Sequence, residues 1–98
     1  MDRQSAIRRV SENAAALKAI GLKRVSLFGS TARGDADVQS DVDLAVTLDE
    51  EARIDLFRFA AMSEEVSRLL GAKVDMVVEP ARNPRMQAEI DRDRVRVY

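Results

Sequence analysis

The chain has no cysteine, no histidine and no tryptophan. Without cysteine, disulfide and zinc–thiolate chemistry are excluded, and the sequence is silent on redox compartment. Without histidine there is no imidazole general base, no Ser-His-Asp triad and no His-ligated metal. Proton transfer near neutral pH is left to carboxylates, lysine, water or the single tyrosine, Tyr98. No apolar run approaches the ~20 residues of a membrane-spanning helix. The first residues, Met1-Asp2-Arg3-Gln4, are polar with no apolar core behind them, so no signal peptide is expected. A formal net charge of −1 gives no global attraction to a nucleic-acid backbone. The default expectation is a cytoplasmic protein with neither membrane nor direct nucleic-acid partners.

What is present suits a small globular protein: 98 residues, 46% apolar and 34% charged. One domain over residues 1–98 with a modest core is expected. Ile7, Val10, Ala14 and Leu17 recur at helical steps and predict one amphipathic helix from Gln4 to Ile20, capped by Ser5 or Asp2 and stopped at Gly21. Two apolar runs, Leu22–Phe28 and Val42–Leu48, are too short for helices and read as buried strands. A helix is expected to open at Asp49-Glu50-Glu51, where acids suit the positive end of the helix dipole. Leu56, Phe59, Ala60, Ser63, Val66 and Leu70 would form its core face, widened by Phe57, Met62 and Leu69. Lys73–Val78 predicts a third strand, and Asn83-Pro84 a helix start running to about Arg92. The alternation in Val95-Arg96-Val97-Tyr98 predicts an edge strand. Alternating strands and helices argue for a two-layer α/β fold, with helices covering the sheet.

The chemistry concentrates between the first two strands. Gly29 ends the first, where a missing Cβ allows a sharp turn and close approach to a ligand. Ser30 follows with a hydroxyl and a backbone N–H at the start of a helical turn, where phosphate is favoured. Asp41 and Asp43 lie two apart at the second strand, which puts both carboxylates on one face. At ~5 Å and an effective dielectric of ~20 they repel by about 3 kcal/mol. A divalent cation reverses that sign, and oxygen-only ligands with open positions suit Mg²⁺. A phosphate cradle beside a magnesium pair equips a protein for phosphoryl or nucleotidyl transfer. Arg33 either contacts phosphate or holds the loop through Asp35 or Asp37, which read as solvated loop residues. Arg82, Arg85, Arg92, Arg94 and Arg96 alternate with Glu89, Asp91 and Asp93 and read first as solvated surface, with a partner interface or triphosphate support as the alternative.

Gly29-Ser30, ten residues, then Asp41-x-Asp43 resembles the signature of the DNA polymerase β-like nucleotidyltransferase superfamily. Arg33-Gly34 and Ser40-Asp41-x-Asp43-Leu44 resemble its minimal branch, the antitoxin partners of HEPN-domain toxins. The resemblance implies a nucleotidyltransferase fold with a small mixed sheet, and a third carboxylate on a later strand. Asp75, within Lys73-Val74-Asp75-Met76-Val77-Val78, fits that place and would act as metal ligand and general base; the structural alternative is a surface aspartate paired with Lys73. On this likeness Asp41, Asp43 and Asp75 would hold one or two Mg²⁺, and Gly29 and Ser30 would bind the phosphates of ATP. AMP would pass to a hydroxyl, a tyrosine being favoured, on a cognate HEPN toxin. Three alternatives remain: a small-molecule, aminoglycoside-type nucleotidyltransferase, an antitoxin acting by steric binding, and a standalone structural or dimerisation domain with no nucleotide role. Assembly into homo- or hetero-oligomers is left open.

Overall fold

A computed structural model describes residues 1–37 and 39–98. Its elements run α1 (Arg3–Glu12), α2 (Ala14–Ala19), β1 (Leu22–Phe28), α3 (Gly29–Arg33), β2 (Val42–Leu48), α4 (Leu56–Leu70), β3 (Val74–Val78), α5 (Pro84–Asp93) and β4 (Val95–Arg96). The four strands form one mixed sheet in the order β3-β2-β1-β4. β1 runs antiparallel to β2 and β4, while β2 and β3 are parallel. The parallel pair follows from connectivity, because α4 carries the chain back between them. β4 lies on the sheet edge, as its alternation predicts, and main-chain bonding continues beyond it: Val97 N–H donates to Val25 O at 3.0 Å. The Tyr98 hydroxyl donates to Leu22 O at 2.9 Å, and burial pushes its pKa up to about 12.

Period-two side chains divide the sheet into unlike faces. One face presents Val25, Leu27, Val42, Leu44, Val46, Val74 and Met76 to Ala6, Val10 and Leu17 of α1 and α2 and to Met62, Val66 and Leu70 of α4. This is the main core. On the other face α5 lays Ile90 over Phe28 and Ala45, flanked by Val77, Ala81 and Met86. α5 covers only part of that face. The uncovered part carries Asp43 and Asp75.

Three local expectations need correction. The predicted helix from Gln4 to Ile20 is two helices broken at Asn13. The Asn13 side-chain amide donates to Arg9 O at 2.8 Å and competes with the helical ladder. Asp2, rather than Ser5, caps α1, accepting from Ser5 N–H at 2.7 Å. The acids at Asp49–Glu51 do not open α4. They form a short 3₁₀ turn, Glu50–Ala52, after which Arg53 adopts a left-handed φ of 46°. α4 begins later, capped by Asp55 accepting from Arg58 N–H at 2.7 Å. Finally, Leu56 and Phe57 are not core: they are 80% and 86% exposed. At about 100° per residue, Phe57 stands half a turn away from Val66, on the opposite side of the helix.

No helix among the described residues is long and apolar enough to cross a membrane. Leu70 is fully buried, so Leu70→Ala is expected to cost about 2–5 kcal/mol. Leu56→Ala should stay within about 0.5 kcal/mol. Urea midpoints of the two variants check this, and equal losses would contradict the exposed placement of Leu56.

Candidate active site

Strand register assembles the acidic group. In the parallel pair Asp43 of β2 lies opposite Asp75 of β3, and in the antiparallel pair Asp43 lies opposite Phe28, the last residue of β1. Two carboxylates distant in sequence therefore become cross-strand neighbours on the open face. The chain turns at once into α3 through Gly29, with φ +72°. A Cβ built at Gly29 would collide with the Asp43 carboxylate. Glycine is thus required here twice, for its φ and for the space that Asp43 occupies.

These side chains line a cleft of about 500 Å³. Phe28, Gly29, Ser30, Arg33, Asp43 and Asp75 form one part of it. α5 supplies the rest: Met86, Glu89, Arg92 and Asp93. Burial pushes the Asp43 carboxyl up to about 6, and the charges of Asp75 and then Asp41 add to the rise, against a lowering by Arg33. Asp41 thus feels the same centre electrostatically, but it is not part of the cleft lining. Its carboxylate lies 4.0 Å from Lys73 Nζ, and both side chains are well exposed. Lys73 therefore neighbours Asp41, and no ion pair between Lys73 and Asp75 is present among the described residues.

Arg33 is held in place by two acids. Its Nε donates to Asp35 at 3.1 Å and its Nη1 to Asp93 at 2.7 Å. Asp93 also accepts from Arg92, which together with Arg33 holds its carboxyl below the usual carboxylate range against the opposing effect of burial. The Asp93 side chain is only 5% exposed. The solvated-surface reading therefore fails for this part of the carboxy-terminal run. It fails for Arg94 too, which donates to Glu79, Asp91 and the buried Ser26 hydroxyl. Sequence reasoning did not place Met86, Glu89, Arg92 or Asp93 at the cleft. Only the alternation of charge at the end of α5 hinted at pairing. Asp37 stays in the loop, turning it by accepting from Gln39 N–H at 2.8 Å.

Among the described residues no three acidic, histidine or cysteine side chains converge into a ready-made metal cage. The donor set still fits a hard cation that draws much of its shell from elsewhere. Asp43 and Asp75 are all-oxygen donors beside one another, and their mutual repulsion is visible in the raised Asp43 pKa. Mg²⁺ is commonly held by one or two carboxylates, with water and phosphate oxygens completing its octahedron. Asp41 could join by releasing Lys73.

The family model described as nucleotidyltransferase domain matches residues 7–97. A Methanocaldococcus jannaschii protein, provisionally named a protein adenylyltransferase, is 32% identical over 77 residues, covering 78% of this chain and 77% of that one. A solved structure described provisionally as a minimal nucleotidyltransferase superposes with a TM-score of 0.77 at 33% identity, over 97% of this chain and 95% of the other. The fold also matches, at TM-score 0.68 and 16% identity, a structure of tri-AMPylated Shewanella oneidensis HEPN toxin in complex with MNT antitoxin, covering 94% of this chain and 71% of that one.

The raised Asp43 pKa carries a stability signature. Its folded value of about 6 lies above the free value of 3.8, so the folded chain holds this proton more tightly. The contribution is complete below pH ~4 and is lost as pH rises through ~6. In the absence of divalent cations, Asp43→Asn should therefore raise the melting temperature at pH 8 and leave it unchanged below pH ~4. With a discount for its partial exposure the gain is on the order of 1 kcal/mol, or about 4–8 °C for a chain of this size. Calorimetry across that range decides it; an Asn variant no more stable at pH 8 would show that Asp43 is not crowded.

Proposed function

Because the chain belongs to the nucleotidyltransferase domain family, we propose that it transfers AMP from ATP to a hydroxyl of a partner protein, a tyrosine of a HEPN-domain toxin, with Mg²⁺, and thereby serves as the antitoxin of the pair. The observation that carries this reading is the register of Asp43 with Asp75, set against a glycine whose absent Cβ makes room for Asp43. The HEPN partner is suggested by the MNT–HEPN complex that shares the fold.

Each residue takes a role that its position allows. Asp41 and Asp43 would hold the magnesium, with Asp75 as the third ligand. Bound there, Mg²⁺ supplies charge neutralisation at the phosphoryl oxygens and acidifies the attacking hydroxyl. Gly29 and Ser30 leave the backbone and one hydroxyl open to the triphosphate tail. Arg33, already oriented by Asp35 and Asp93, presents a guanidinium on the cleft wall. Asp75 accepts the proton of the acceptor hydroxyl. The acceptor oxygen forms a bond to the α-phosphorus, the bond from that phosphorus to the bridging oxygen breaks, and pyrophosphate leaves. Positioning and fixed charge do the catalysis. A bulky anion placed on the toxin then blocks its site.

Incubation with α-³²P-labelled ATP, Mg²⁺ and the cognate HEPN-domain protein should label that protein and release pyrophosphate. Asp43→Ala and Gly29→Ala should each lower the labelling rate by about 10²–10³-fold, the first by removing a ligand and the second by driving a methyl into the place of the Asp43 carboxylate. Labelling that survives in Asp43→Ala would dismiss the proposed chemistry. Toxin neutralisation by Asp43→Ala equal to that by the parent chain would favour steric inhibition instead.

A further inference from the structure

A second and larger hollow, of about 690 Å³, lies beside the cleft. It is bounded by the start of α4, the end of β3 and the segment leading into α5. Its wall is apolar: Leu48, Ile54, Phe59, Val78 and Pro80 contribute. Leu56 lines its mouth at 80% exposure, and the next residue, Phe57, is 86% exposed. These are the exposed large apolar side chains of the described chain. A large apolar side chain exposed on the lip of an apolar hollow, as Leu56 is, has the composition of an interface core rather than of ordinary surface.

Two further observations select the occupant. Met86 lines both this hollow and the acidic cleft, so the two adjoin. The lining also carries one base, the exposed Arg82, which has no ion pair among the described residues. The acid of the lining, Asp55, is engaged in capping α4.

We propose that the groove around Leu56 and Arg82 docks the protein whose hydroxyl is modified, through an apolar segment of that protein that carries an acidic side chain opposite Arg82; this assignment rests on the adenylyl-transfer reading above. A protein acceptor must reach the cleft and also bury far more surface than the cleft can offer, since specific interfaces cover about 800 Å² per partner. The adjoining groove supplies that surface at the right place. A second copy of this chain suits it less well. It would stand over Met86 at the mouth of the cleft, and a two-fold contact centred on Arg82 would set that charge against its own copy.

Titration calorimetry of the purified chain with the cognate HEPN-domain protein tests the assignment. Leu56→Ser and Arg82→Glu alter exposed side chains and should keep the fold, as checked by melting. Each should weaken binding at least tenfold and raise KM for the protein acceptor by a similar factor. KM for ATP and the melting shift caused by Mg²⁺-ATP should not move. Unchanged affinity in both variants overturns the assignment, as does failure of the parent chain to bind the HEPN-domain protein. A dimer of the parent chain that Leu56→Ser separates, seen by light scattering, overturns it in favour of a second copy. Binding that follows the prediction without any labelling by the parent chain would remove the proposed chemistry and leave the docking surface standing.

Discussion

The close approach of Gly29 to Asp43 is the constraint on which the site depends. A carboxylate on the central part of a sheet is costly to desolvate and is kept only where something receives it. Here the space comes from the missing side chain at the end of β1, and Asp75 sits alongside on β3. Burial, and after it the charges of Asp75 and Asp41, push the Asp43 carboxyl up to about 6.

The open half of the sheet follows from how α5 is placed. One face is fully used by α1, α2 and α4, which bury the main core. The other has only the small cluster of Phe28, Ala45 and Ile90 under α5. That cluster anchors α5 firmly enough to hold Asp93 and Arg92 at the cleft while leaving Asp43 and Asp75 uncovered. Salt bridges at the end of α5 complete the anchoring: Arg94 reaches Glu79 and Asp91, and Arg33 reaches Asp93. Exposed pairs of this kind add little stability in general. With Asp93 only 5% exposed, their effect is to fix orientation.

The two hollows beside α5 and β3 divide the labour by polarity. The cleft is rich in ionised groups, suited to a phosphate tail and its counter-ion. The groove is mostly apolar and carries Arg82. Met86, flexible and polarizable, forms part of both. A chain this short has little surface to spare, and an acceptor bound across both hollows would complete what the enzyme lacks in size.

Much was legible in the residues themselves. β1 and β2 have the bounds read from their residues, because Val25 and Leu27, and Val42, Leu44 and Val46, recur at the strand period and bury one face. Asn83-Pro84 marks the start of α5 because its side-chain and ring chemistry are local. The placement of Asp43 on the same face as Ala45 follows from strand period, whereas Asp41 precedes β2 and lies beside Lys73. Tertiary structure decided the rest. Whether Asp75 stands beside Asp43 depends on a register between strands joined through α4. The Arg33–Asp93 pair spans 60 residues, which no local pattern can anticipate. The exposure of Leu56 was hidden as well, since periodicity shows that a helix has an apolar side but not which of its turns has a neighbour to bury it; that of Phe57 was legible in its half-turn offset from Val66.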